Sequence, residues 1–472
     1  MPPKKAAGDR LGALPDEILH RVLSFLPAQQ ALRTCLLSRR WLHLWKSATA
    51  LRIVGDDGEA PVSLEKAREF VDHLFLLRGS SPLEECEFRF VGLNEGDVPR
   101  VNLWIRHALM CKVRVLRLYV SGELARLKLN PEDPRLVSRN LRSLDLCKLV
   151  FNNKFLDLSR CPSLQDLRIG RSSFVHVDRI SSQSLKHLHI YKCVHSPSFR
   201  THIHAPKLIS LHLEVYYGRT PLLETMPPLL SVFVEIHRLC ADRCASNDYG
   251  NCSNESCEGC IQNDGSCVLL QGLTQAKDLC LMASAEMFIF RRDLKWCPTF
   301  SQLKSFVLNE NWCVPDVRAL ACILKHSPVL EELCLHLFSK GPKHNVEMKG
   351  TFNPKELPST VSAHLKRVEV KCERVDERVV EVLRFLSKLN ITNMPGTSIR
   401  GMCHESALGG LRTPSPPRPP FKQHVDWFFS IDVKAGRLSE KECGDDQTHA
   451  VSCLDELGHS RLIALDFVNL FY

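Results

Sequence analysis

Apolar residues along this chain recur on two different periods, and the change between them falls near residue 80. Before it, Ile18, Leu19, Val22, Leu23 and Leu26 fall at i, i+1, i+4, i+5 and i+8, the stripe of an amphipathic helix. Pro15 suits its first turn, where a missing N–H costs nothing. Asp16 and Glu17 sit where the helix dipole favours negative charge, and Pro27 ends it. A second helical stretch carries Ala31, Leu32, Cys35, Leu36 and Leu37. A third, residues 38–45, aligns Trp41, Leu44 and Trp45 on one face, with Ser38 as N-cap. Three short helices have too little volume to bury all of this apolar surface, so part of it is expected to face a partner.

After residue 80 a repeated unit appears: apolar, two variable residues, apolar, one variable, apolar. It reads Leu83-x-x-Cys86-x-Phe88, Val113-x-x-Leu116-x-Leu118, Leu141-x-x-Leu144-x-Leu146, Leu164-x-x-Leu167-x-Ile169, Leu185-x-x-Leu188-x-Ile190 and Leu208-x-x-Leu211-x-Leu213. A weaker Leu229-x-x-Val232-x-Val234 follows, and later copies start at Leu303, Leu330 and Leu365. Starts at 141, 164, 185, 208 and 229 are 23, 21, 23 and 21 residues apart, within the leucine-rich-repeat range. Each unit offers one short strand whose alternate residues point into a core shared with its neighbours. Turns at Pro162, Pro206 and Pro328 restart the strand.

The variable positions then form an exposed, concave face. They place there Asp145, Asp166, Arg168, His187, His189, Tyr191, His212 and Glu214, with Ser143 and Ser210, the candidate substrate face. That surface is polar and mixed in sign, which suits a protein or peptide better than a nucleic-acid backbone. For His187, His189 and His212 a metal-binding or pH-reporting role is one reading, and a solvated repeat position the commoner one.

Composition adds bounds. The chain has 472 residues, 44% apolar and 24% charged, the make-up of a globular protein with more than one folded unit. No apolar run reaches the ~18 residues a membrane span needs. The lysines of the N-terminus precede no apolar signal core, so a cytoplasmic or nuclear protein is expected. Of the 21 cysteines, Cys86, Cys147, Cys193, Cys334 and Cys372 stand in apolar segments and read as small buried hydrophobes with reduced thiols. Net charge is +9, and residues 1–46 hold eight Lys or Arg against three acids, over half the excess. Such a module fits an acidic partner or an ordinary solvated face. Between residues 238 and 268 a polar insertion carries Cys240, Cys244, Cys252, Cys257, Cys260 and Cys267. A zinc knuckle on Cys252, Cys257, Cys260 and Cys267 is one reading, and a polar insertion without metal the other. The run Pro414-Ser415-Pro416-Pro417-Arg418-Pro419-Pro420 cannot join a core and reads as a linker.

The run LPDEILHRVLSFLP…ALRTCLLSRRWLHLWK resembles the F-box of plant F-box proteins over residues 11–50. That resemblance implies binding to a Skp-type adaptor and, through it, to a cullin–RING scaffold. Leu14, Pro15, Ile18, Leu19, Val22 and Leu23 are implied adaptor contacts. Leu36, Trp41, Leu44 and Trp45 complete the interface or the module's own core. The segment from Leu269 to Leu281 looks like a repeat of grass F-box proteins. His364 to Val370 with Val379 to Leu389 resembles the start of an FBD domain and breaks off near Asn390.

The expected architecture is therefore α+β: a three-helix F-box followed by an irregular leucine-rich-repeat horseshoe, an α/β solenoid. Its parts are a basic flexible N-terminus at 1–10, the F-box at 11–50, a linker helix at 51–80 and repeats at 81–389. The repeats end in a partial FBD-like segment at 360–389, and 390–472 is an atypical, partly disordered tail. No Gly-x-Ser-x-Gly elbow, phosphate loop or His-Glu-x-x-His is present, so no enzyme and no cofactor is expected. The reading is a substrate-recruiting subunit of an SCF-type ubiquitin ligase acting in protein degradation, with an unidentified protein substrate and neither membrane nor nucleic acid as partner. The alternatives are a repeat scaffold whose adaptor contact serves assembly or self-turnover, and a small-ligand sensor.

Overall fold

The protein is described by a computed structural model over residues 14–121, 137–151, 153–224, 226–242, 267–284, 297–309, 311, 318–337, 364–372, 377–388, 399–403, 427–432 and 437–441. Contacts divide the chain into two units, Met1–Leu333 with Ser339–Leu365, and Cys334–Phe338 with Lys366–Tyr472.

The first unit begins with helices α1 (Asp16–Phe25) and α2 (Ala28–Arg33), each led by a proline in extended conformation. The expected third helix is replaced by two separate 3-10 turns, Arg39–Leu42 and Leu44–Ser47, after an earlier one at Thr34–Leu36. Ser38 makes no side-chain cap. Its carbonyl accepts from Trp41 N at 3.1 Å, and the His43 carbonyl from Lys46 N at 3.1 Å, so the tighter winding turns both tryptophans inward.

The span 51–80, expected as a linker helix, enters the repeat architecture directly. It holds most of strand β1 (Ala50–Ile53), then β2 (Val62–Ser63) and helix α3 (Leu64–Arg78), which buries Leu64, Ala67, Val71, Leu74 and Phe75. Next come β3 (Glu85–Val91), α4 (Val98–Met110), β4 (Val115–Ser121), β5 (Ser143–Cys147), β6 (Phe155–Asp157), β7 (Asp166–Gly170), β8 (Ser173–Phe174) and β9 (Arg179–Ser181). Then follow β10 (His187–His195), β11 (His202–His204), β12 (Ser210–Gly218), β13 (Leu222–Glu224), β14 (Ser231–Cys240), β15 (Asp278–Ala283), β16 (Ser305–Asn309), helix α5 (Arg318–Lys325) and β17 (Glu332–Leu337).

One parallel ladder runs β1–β3–β4–β5–β7–β10–β12–β14–β15–β16. Its register aligns Leu51, Cys86, Leu116, Leu144, Leu167, Leu188, Leu211, Val232, Leu279 and Phe306 in a single buried row. Ile53, Phe88, Leu118, Leu146, Ile169, Ile190, Leu213, Val234, Leu281 and Leu308 form the second. The chain returns between strands through α3 and α4 where units are long. The 21–23-residue units have no room for a helix and return through β6, β9, β11 and β13, a second parallel sheet.

At the end of each short unit an aromatic ring stacks on the next. Phe151 lies 5.0 Å from Phe174, and Phe174 lies 5.3 Å from His195, all fully buried. Gly218 stops this stack: its φ is +87°, and a Cβ there would overlap the His195 carbonyl. Of the five cysteines read as core, Cys86, Cys147, Cys193 and Cys372 are buried. Cys334 is not, because it occupies the variable position between Leu333 and Leu335 and its Sγ reaches Glu369 Oε2 at 3.6 Å.

In the second unit, β18 (Arg367–Cys372) precedes α6 (Glu377–Lys388), and Val368, Val370, Val379, Val382, Phe385 and Leu386 are buried. Strand β19 (Ile399–Cys403) pairs parallel with β18 and antiparallel with β20 (Trp427–Asp432), which pairs antiparallel with β21 (Arg437–Lys441). The segment from Trp427, within the expected atypical tail, thus joins this sheet. The 1–10 segment and the proline run lie outside the described residues.

His195 predicts an acid sensitivity. Neither ring nitrogen meets a hydrogen-bond partner, and burial pushes its pKa from 6.5 down to about 4, against a small opposing pull from Asp242. The unfolded chain therefore takes up a proton that the fold refuses. This contribution is intact above the unfolded value and is lost as pH falls from 6.5 towards 4. His195→Phe, which keeps the stack, is expected to lose less urea stability than the native chain between about pH 7 and about pH 4.5. Equal losses would overturn the assignment.

Candidate adaptor and substrate faces

In α1 the paired apolar positions separate by about 100° of helical rotation. Leu19 and Leu23 turn inward and are buried. Ile18 (46% exposed), Val22 (40%) and Phe25 (66%) form an outer stripe at i, i+4 and i+7. Leu36 (89%), Leu37 and Leu42 are exposed as well. Of the ten residues expected to meet the adaptor, Pro15, Ile18, Val22 and Leu36 are exposed and Leu14 is half-buried. Leu19, Leu23, Trp41, Leu44 and Trp45 form the module's own core, which is one of the two places expected for Trp41, Leu44 and Trp45 and a departure from the surface contact expected of Leu19 and Leu23. Sequence reasoning missed Phe25, which continues the Ile18–Val22 spacing by one step.

The module is fixed to the ladder rather than tethered to it. Helices α1 and α2 pack on β1, and Pro27 bridges Arg52 in parallel fashion. Arg78, buried at the end of α3, donates from Nη1 to the Trp45 carbonyl (3.1 Å). Its Nη2 donates to the carbonyls of Ala48 (2.6 Å) and Pro82 (3.2 Å). Burial lowers its pKa, yet these carbonyls accept its protons.

On the ladder, seven of the eight residues of the candidate substrate face alternate with the buried rows and share its open side, while Glu214, expected to be exposed, is buried beside Val215 and under His212. One register row reads Arg52, Glu87, Arg117, Asp145, Arg168, His189, His212, Phe233. Its first part alternates in charge. Arg52 Nε donates to Glu87 Oε2 (3.0 Å), Tyr119 Oη donates to Asp145 Oδ2 (2.6 Å), and Arg117 pairs with Glu85. Its second part is aromatic. The rings of His189 and His212 lie 3.9 Å apart, His212 stacks on Phe233 at 4.4 Å, and Tyr191 lies 5.1 Å from His189.

His212 Nε2 lies 2.9 Å from Glu214 Oε1, and Glu214 stands beside Glu235 in register. Asp166 and His187 form the neighbouring row, where His187 Nδ1 meets Ser210 Oγ at 2.8 Å. Phe233, Glu235 and His237 were not singled out, although they occupy the variable positions of the Leu229 copy. Burial raises the pKa of Glu235, an effect that His237 opposes. The four-cysteine zinc set lies outside the described residues except for Cys267, which is buried.

The family pattern described as "F-box domain" matches residues 11–50. The chain carries an F-box and is similar over most of its length to plant F-box/leucine-rich-repeat proteins. An F-box/LRR-repeat protein of Arabidopsis thaliana is 26% identical, over 80% of this chain and 89% of its own length. The meiotic F-box protein MOF of Oryza sativa subsp. japonica is 28% identical over 78% of this chain and 81% of its own. An F-box/FBD/LRR-repeat protein of Arabidopsis is 27% identical over 78% and 84%. Among the described residues, no helix of this F-box protein is long and apolar enough to cross a membrane.

The row carries its own titration prediction. Burial, then the charges of His212 and Arg168, push the pKa of His189 from 6.5 down to about 3. Its imidazole is therefore expected to stay neutral on acidification through 6.5, read from ring nitrogen shifts in NMR. A His189 that titrates near its ordinary value would contradict the packing described.

Proposed function

We propose that this F-box protein is a substrate-recruiting, non-catalytic subunit of an SCF-type ubiquitin ligase. The F-box binds a Skp-type adaptor through the outer stripe of α1 and the exposed leucines that follow it. The open face of the ladder, from Asp145 to Glu214, holds a protein substrate. Ubiquitin transfer then follows from proximity, since the chemistry resides in other subunits.

The observation that carries the reading is the outer stripe itself. Ile18, Val22, Phe25 and Leu36 stay in water although the module already has a packed core of Leu19, Leu23, Trp41, Leu44 and Trp45. An apolar cluster that its own domain does not bury fits a protein interface. Support for the second face is its chemistry: alternating charges beside stacked histidine and phenylalanine rings match a polar peptide surface with an aromatic or apolar anchor.

Ile18→Asp combined with Val22→Asp is expected to weaken adaptor binding about thirtyfold or more while thermal unfolding stays close to native, as for loss of interface anchors. Leu19→Ala is expected to act differently, costing about 2–5 kcal/mol of fold stability. Calorimetric titration of the full chain with adaptor, paired with melting curves, separates the two. Undiminished adaptor binding by the double variant would refute the proposed face.

A further inference from the structure

The polar insertion is where sequence spacing pointed for metal, but the fold assembles a different set of soft ligands further along. Helix α5 carries Cys322 near its C-terminal end, and His326 follows one turn later, on the same face at i+4. Cys297 comes from the segment before β16. That segment is docked on the helix end by Phe300, whose N–H donates to the His326 carbonyl at 2.8 Å and whose ring is fully buried. One ligand atom from each of Cys297, Cys322 and His326 lies within 4.8 Å of the others. His326 Nδ1 is 3.9 Å from Cys322 Sγ; its N–H also donates to the Cys322 carbonyl at 2.8 Å, a hydrogen bond that ligation through Nδ1 would replace.

These separations lie slightly outside those of a coordination polyhedron, so small side-chain movements would close the set on an ion. With Zn–S near ~2.3 Å and Zn–N near ~2.0 Å, the edges of a zinc tetrahedron are roughly 3.5–3.8 Å. Two sulfurs and one imidazole select zinc over magnesium or calcium, which want oxygen. The negative end of the α5 dipole faces the same point and favours a cation.

We propose that Cys297, Cys322 and His326 bind a zinc ion at the C-terminal end of α5, with water in the fourth position. The ion staples the segment entering β16 to the helix that follows it. It is independent of the cysteines of the insertion.

The test uses the full chain purified without chelator, with zinc measured by mass spectrometry and cobalt(II) as a spectroscopic probe of the zinc-stripped protein. About one zinc per chain is expected, together with the thiolate-to-cobalt absorption of a tetrahedral site. Both are expected to survive Cys257→Ser/Cys260→Ser. Both are lost in Cys297→Ala and in His326→Gln, the second variant serving if the first misfolds by circular dichroism. A native chain without zinc, zinc that disappears only with the insertion cysteines, or a Cys297–Cys322 disulfide in place of metal would each overturn the proposal.

Discussion

Each strand of the ladder can bury its two inward side chains only if its neighbours present theirs at the same height. That condition is met in register from Leu51 and Ile53 to Phe306 and Leu308. Because side chains alternate, a slip of one residue would move leucine into water and charge into the core. The register therefore decides the open face as well. The alternation of Arg52, Glu87, Arg117 and Asp145 and the stacking of His189, His212 and Phe233 exist only because the leucines behind them are aligned.

A solenoid needs its ends covered, since an open edge strand exposes unpaired backbone and apolar core. Here the F-box does this at the start, with α1 and α2 lying on β1. The same helices divide their apolar residues between two tasks: Leu19 and Leu23 go to the core, Ile18 and Val22 to the outside. Arg78 completes the joint from the array's side by donating to the carbonyls of Trp45 and Ala48 and to that of Pro82 beyond α3.

Much of this was legible from residue spacing. The leucine triplets marked the strands, and the variable positions between them marked the open face. The misses share physical causes. Ala48-x-x-Leu51-x-Ile53 obeys the same rule, but alanine in the first position hides the triplet, so the array starts earlier than the leucines suggest. Adjacent apolar residues such as Ile18 and Leu19 read as one stripe until packing chooses between them. The turns after Ser38 wind as 3-10 because burying Trp41, Leu44 and Trp45 together outweighs regular helix geometry. Cys297 and His326 precede different strands of the ladder, β16 and β17, and no local pattern connects them.

The joint between F-box and ladder has a mechanical meaning. The last turn of the F-box ends at Ser47 and β1 starts at Ala50, while the buried Arg78 guanidinium grips both sides of the gap. Among the described residues, no free linker separates the F-box from β1. Under the proposed receptor role, a protein bound on the strands nearest this joint would be held at a fixed distance from the adaptor. Which of its lysines is modified would then follow from where that distance places each, more than from the residues around it.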